Sequence, residues 1–242
     1  MIVTIQAAIS ATVAILVGSS LNNAVETYLV FREKQLSDEW KERRGLLPMS
    51  SKLTESNNNK RAVVQNLQSM NRKDLLRVYH SCECPDFDVT GEWDGKLLEN
   101  GLVLTKIASF VTNRLFGGGN NWNGKYFGNN SVGGNRFVSQ ERDVGGIVND
   151  ETARNIIVKD HSFDYALLPS PIDRGKNSLV IKYARYHSSF SLFNSMVDEL
   201  RVLKYPDSKG NGAILIGLGS MGWTGGKLNC SPFCLMRTEK ND

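Results

Sequence analysis

Val89-Thr90-Gly91-Glu92-Trp93-Asp94-Gly95 and Trp122-Asn123-Gly124-Lys125-Tyr126-Phe127 are two segments of one kind, each pairing a Trp with a Gly two residues later. They flank an amphipathic stretch in which Leu104, Ile107, Ala108, Val111 and Leu115 fall on one helical face. Nearly everything after Phe127 reads as strand, and nearly everything before Asp86 reads as helix. Asp88–Phe127 is therefore where a helical arm gives way to a β domain.

Working outward, the pattern predicts strands near Val89–Leu97, Gly124–Phe127, Asn135–Ser139, Ile156–Val158, Phe163–Leu168, Ser178–Tyr183, Val197–Leu203, Ala213–Gly219 and Cys230–Arg237. Turn residues separate them: Gly117-Gly118-Gly119-Asn120, Asn129-Asn130, Gly145-Gly146, Pro169-Ser170-Pro171, Pro206-Asp207 and Gly225-Gly226. Short strands at regular spacing predict a mainly β fold, an antiparallel barrel over residues 86–242 with one helix, Leu104–Phe116, after the first strand. Closure removes the exposed edges that so large a sheet would otherwise have to protect.

Gly91-Glu92-Trp93 at the start of the first strand, followed by a long meander, resembles the G-x-W of the lipocalin and wider calycin families. The resemblance implies that Trp93 lies across the closed end of the barrel and that Gly91, Trp93 and Arg237 close it. In that reading the Arg237 guanidinium covers the indole, a contact that adds up to about 2 kcal/mol when desolvated. The helix after the first strand looks more like the lid of fatty-acid-binding proteins. The disulfides of secreted lipocalins have no counterpart here.

The N-terminal part differs in kind. Ile2–Leu21 carries no charge and has about the length that spans a bilayer core. Its Ser, Thr, Gly and Ala residues suit helix–helix packing in lipid; a signal sequence or a buried helix is the alternative. All flanking basic residues, among them Arg32, Lys34, Lys41, Arg43 and Arg44, follow the run. The positive-inside rule then places the C-terminal domain on the cytosol, stroma or matrix side. Residues 1–44 thus read as a transmembrane helix with a juxtamembrane extension, on which Tyr28 and Trp40 suit the interface. Residues 45–85 read as a polar linker, Met49–Lys60, followed by two short helices, Ala62–Met70 and Lys73–Ser81. Asn71 caps the second, whose apolar side is Leu75, Leu76 and Tyr79.

Composition excludes some functions. The net charge of +4 is concentrated between Arg32 and Lys73, so the β domain has no basic face for nucleic acid. Cys82, Cys84, Cys230 and Cys234 are too few for a disulfide scaffold; free thiols in a reducing compartment are the simpler reading, with cross-pairing left open. Gly217-Leu218-Gly219-Ser220-Met221-Gly222 has G-x-G-x-x-G spacing, but Trp223-Thr224-Gly225-Gly226 cannot open the helix a pyrophosphate needs. A Gly-rich hairpin explains it better. His80, His161 and His187 lack metal-ligand spacing. Asp198 and Glu199 point to opposite faces of a strand, and pairing of one of them with Arg201 is the plain expectation. No nucleophile–base set is visible, and no catalytic, metal or firm cofactor site is expected. Tyr126, Arg136, Tyr165, Tyr183 and Arg185 are candidates to line a ligand cavity at the barrel mouth, with half-exposed strand positions the alternative.

Three functional readings follow, the last of them an enzyme acting on the kind of ligand named in the second. One is a non-catalytic accessory subunit, contacting other membrane-protein subunits through Ile2–Leu21 and the barrel surface, with membrane lipids around it. The chain resembles uncharacterised algal-type proteins, which implies a photosystem-like thylakoid complex rather than one of the inner mitochondrial membrane. The alternative is a membrane-tethered carrier or chaperone that holds a lipid, pigment or tetrapyrrole in the barrel.

Overall fold

Eight strands, all antiparallel and each paired with its neighbours in sequence, close into a barrel when the last returns to the first. The computed structural model describes residues 23–30, 60–98, 120–140, 155–173, 175–189, 191–206, 212–222 and 226–238. The uncharged run Ile2–Leu21, all of the linker Met49–Lys60 but its last residue, and the amphipathic stretch Leu104–Phe116 lie outside these residues. Among the described residues no helix is long and apolar enough to cross a membrane.

The strands are β1 (Gly91–Leu97), β2 (Asn121–Phe127), β3 (Val132–Gln140), β4 (Asn155–Pro169), β5 (Asn177–Lys182), β6 (Met196–Lys204), β7 (Ile214–Met221) and β8 (Ser231–Arg237). Among the described residues three α-helical segments accompany them: α1 over 23–30, α2 (Lys60–Ser69) and α3 (Arg72–Ser81). Asn71 caps α3 by accepting a hydrogen bond from the Asp74 amide, as its sequence position predicts.

Where nine strands are expected, eight form, because Ile156–Val158 and Phe163–Leu168 belong to one strand, β4. The polar residues Lys159, Asp160 and His161 lie between them. The strand runs through these with a register shift, Asp160 facing Asn135 and Phe163 facing Gly133, and with His161 at φ 51°. That irregularity re-aims the strand without ending it.

Strand alternation sorts the core into two layers. The inner layer holds Trp93, Phe127, Phe163, Tyr165, Leu179, Ile181, Leu200, Val202, Leu215, Phe233 and Leu235 inside the barrel. The outer layer lies over β6, β7 and β8, where Leu203, Ile214, Ile216, Leu218 and Cys234 pack against Val63, Val64 and Leu67 of α2 and Leu75, Leu76 and Tyr79 of α3. β6 to β8 are therefore buried on both faces; β7 and β8 are accordingly nearly continuous apolar runs, whereas β6 buries Asp198, Glu199 and Arg201 among its apolar residues. Cys230 and Cys234 belong to this outer layer, and all four cysteines are thiols.

Candidate functional site: the barrel interior

Trp93 lies fully buried inside the barrel, its indole N–H donating to the Val89 carbonyl at 2.8 Å. The Arg237 guanidinium stands 5.4 Å from the indole ring centre and donates to the carbonyls of Asp88 and Thr90. Gly91 opens β1 at φ 117°, a conformation that favours glycine. Phe127 meets Trp93 edge-on at 6.4 Å and Tyr165 at 5.0 Å, while the Tyr165 hydroxyl donates to the Gly128 carbonyl.

Inside the barrel an ion pair replaces apolar packing. Lys125 on β2 and Asp198 on β6 meet at 2.8 Å with side chains 2% and 1% exposed. In a closed eight-stranded barrel these two strands face each other, so the pair joins opposite walls. The Lys125 ammonium also donates to Asn135 Oδ1 at 2.8 Å and to the Tyr183 hydroxyl at 2.6 Å. Tyr183 in turn donates to Asp198 Oδ2 at 2.8 Å. Four rings surround the ammonium, Trp122, Phe163, Tyr183 and Phe233, each with its centre between 5.3 and 5.7 Å away.

The electrostatics follow from this enclosure. Burial pushes the Lys125 ammonium below its ordinary 10.5, and the Asp198 carboxylate opposes that shift. Burial, then the Asp198 charge, pushes the Tyr183 phenol well above its ordinary 10.0. The phenol is a donor at neutral pH, not a base. Asp198 Oδ1 is buried with no hydrogen-bond partner among the described residues, so the centre can accept one more donor.

Three glycines show how closely rings line this interior. A Cβ at Gly95 would stand 2.4 Å from the Trp122 ring, one at Gly217 2.4 Å from Phe233, and one at Gly133 2.5 Å from Phe163. Glycine occurs there because a ring occupies the position a side chain would take.

The five cavity candidates divide. Tyr165 and Tyr183 are inside, Tyr165 beside Phe127 and Tyr183 in the polar centre. The other three do not join them. Tyr126 alternates outward between Lys125 and Phe127 and lies under the Lys159 ammonium at 4.8 Å. Arg136 also faces outward, bridging Glu92 at 3.2 Å and Asp94 at 3.0 Å. Arg185 is exposed in a 3-10 turn, 3.5 Å from Asp164.

The expected pairing of Arg201 with Asp198 or Glu199 is corrected. Arg201 points to the outer layer and pairs with Asp173 at 2.7 Å, while donating to Ser178. Asp173 also meets His80 of α3 at 3.0 Å. Glu199 accepts from the Tyr79 and Ser170 hydroxyls and from the Ile172 amide; burial raises its carboxyl, and these bonds oppose the rise. This outer network ties α3 and the β4–β5 connection to β6. Arg201 Nη2 is buried there with no hydrogen-bond partner among the described residues; the network otherwise joins two packed surfaces and has the form of a structural joint.

Lys125, Asn135 and Asp198 are the central residues missed in the sequence. The available signal was parity: Lys125 shares a strand face with Phe127, and Asp198 shares one with Leu200 and Val202. A charge in phase with buried residues on two strands is the mark of an internal pair.

His161, His187 and Phe193 stack near one end of the barrel, with ring centres 4.1 Å and 4.8 Å from Phe193. Burial, with the neighbouring His161 adding to it, lowers the His187 imidazole. Among the described residues no set of three or more His, Cys, Asp or Glu side chains converges to hold a metal.

Fold and site define an all-antiparallel, closed eight-stranded β-barrel consistent with a calycin-like fold, with a charged strut across its interior. The chain matches no family model, no curated protein and no solved structure.

Proposed function

We propose that the chain is a non-catalytic docking subunit of a membrane complex, a rigid barrel that works through its outer surface. The observation that carries this reading is the Lys125–Asp198 pair, which joins opposite walls at 2.8 Å. A lipid or tetrapyrrole lying along the barrel axis would have to displace that bond and the rings around it. Opening it would separate two charges in a medium where neither finds water, at a cost of several kcal/mol. Among the described residues the Lys125 ammonium is held by three acceptors and the Tyr183 phenol is held protonated, so neither is placed to act as a base or nucleophile. The uncharged run Ile2–Leu21 supplies the attachment to the bilayer in this reading, with the soluble domain on the side of the basic flank. Ancestry shared with calycins belongs to the same proposal and rests on Gly91, Trp93 and Arg237.

The test is extraction of the chain from its native membrane in mild detergent, followed by native gel migration and solvent extraction of the purified material. Co-migration with larger subunits and no stoichiometric lipophile is the expected result. A monomer-sized band carrying one equivalent of lipid or pigment would refute the reading in favour of a carrier.

A further inference from the structure

α1 is packed inside out. Its buried positions are Asn23, Thr27 and Val30, and its exposed positions are Val25, Tyr28 and Leu29, at 48%, 56% and 48% exposure. A helix on a water-facing protein surface does the reverse, turning its apolar stripe to the core and its polar residues to solvent. The inward polar side is specifically bonded. Asn23 donates to the Asn229 side chain at 2.8 Å, and Arg72 donates to the Thr27 hydroxyl at 3.0 Å and to the Cys230 carbonyl at 2.5 Å. These contacts tie α1 to α3 and to the β7–β8 connection, and they orient its outer face.

We propose that the outer face of α1, Val25, Tyr28 and Leu29, lies against the lipid of the bilayer, so that the barrel is seated on the membrane surface beside this helix. The inference rests on the membrane attachment proposed above and adds where, and in what orientation, the domain meets the bilayer. Three observations favour lipid as the occupant over a protein groove. The apolar face continues in sequence from the uncharged run that ends at Leu21, only a few residues before Val25. Tyr28, at the centre of the exposed face, is the residue type that partitions to the headgroup boundary, ring in the apolar layer and hydroxyl outward. Beside the helix, the turn Gly226–Asn229 adds exposed Leu228 and a basic residue, Lys227, an apolar tip with a cation suited to phosphate headgroups. The buried Asn23–Asn229 contact holds the helix and this turn to one side of the barrel.

The test uses the full chain with Cys84→Ser, which removes the half-exposed thiol; the remaining cysteines are buried. Leu29→Cys, Tyr28→Cys and, on the opposite end of the barrel, Leu167→Cys are labelled in turn with an environment-sensitive fluorophore. Each protein is reconstituted into phosphatidylcholine vesicles containing shallow nitroxide-labelled lipid. Quenching of the labels at 28 and 29 by the nitroxide lipid to less than half their emission, with the label at 167 quenched only by aqueous iodide, is the expected result. If the protein floats with the vesicles but the labels at 28 and 29 are quenched by iodide and not by nitroxide, membrane attachment stands and this orientation falls. Shielding from both quenchers would overturn lipid contact in favour of a protein covering the helix. A protein that does not float with the vesicles refutes the attachment and this inference together.

Discussion

Replacing Lys125 with Met tests the central feature of the barrel most directly. The substitution keeps the length and most of the volume of the side chain, and it leaves the Asp198 carboxylate, 1% exposed, without its counter-charge. Breaking one side of a buried pair costs about 3–5 kcal/mol, chiefly because the remaining charge is uncompensated. At roughly 2–4 °C per kcal/mol for a protein of this size, Lys125→Met lowers Tm by about 6–20 °C. The double variant Lys125→Met/Asp198→Leu removes both charges together. It gives up the acceptor of the Tyr183 hydroxyl, a loss of about 1–3 kcal/mol, but escapes the uncompensated charge. The double variant therefore unfolds later than Lys125→Met alone, with a favourable coupling of at least about 2 kcal/mol between the two sites. Urea unfolding of the four proteins, followed by circular dichroism and tryptophan emission, completes the cycle. A single variant that loses less than about 1 kcal/mol, with no coupling, would mean that water already reaches Asp198. The interior would then be open enough for a ligand, and the docking proposal would lose its support.

Three further outcomes are expected. Trp93→Ala empties the largest fully buried side chain and strands Arg237 without its ring, at a cost of about 3–5 kcal/mol in chemical denaturation; an unchanged midpoint would remove Trp93 from the core. The Glu92 carboxyl is held below its ordinary 4.5, first by the hydrogen bond from Lys159 and then by the charge of Arg136. Its stabilising contribution is therefore present above pH 4.5 and lost as pH falls through the lower folded value; Glu92→Gln should flatten that part of a pH–stability profile, and an unaltered profile would refute the assignment. Burial pushes the thiols of Cys82 and Cys234 up to about 12, so both should resist alkylation at pH 8 until denaturant is added; rapid native labelling at either would contradict their packing.

The parts of the fold that were legible in the sequence are those where local pattern and tertiary demand agree. Short strands divided by glycine and proline turns led to an antiparallel barrel, and Asn71 marked the start of α3 because a cap is a local device. β4 was read as two strands because Lys159-Asp160-His161 interrupts its apolar pattern, whereas pairing with β3 and a left-handed His161 carry the strand through. The cavity candidates were chosen by residue type rather than by phase. Tyr126 and Arg136 stand one position off Lys125 and Asn135, and that single step puts them outside the barrel. The Lys125–Asp198 pair joins residues 73 positions apart on facing walls, so no local window contains it. Arg201 found its partner in Asp173, on the β4–β5 connection, for the same reason.

The joint between α3 and β6 bears on where this protein can be cut. By composition the β domain begins near Asp86, yet Glu199 and Arg201 on the barrel wall are covered by Tyr79 of the preceding helix and bonded to it or to the Asp173 it shares with His80. A chain started at Asp86 would leave a carboxylate and a guanidinium standing in a strip of Ile214, Ile216 and Leu218, facing water across a surface designed to be dry. The two helices α2 and α3 are therefore part of the barrel's outer layer rather than an arm joined to it.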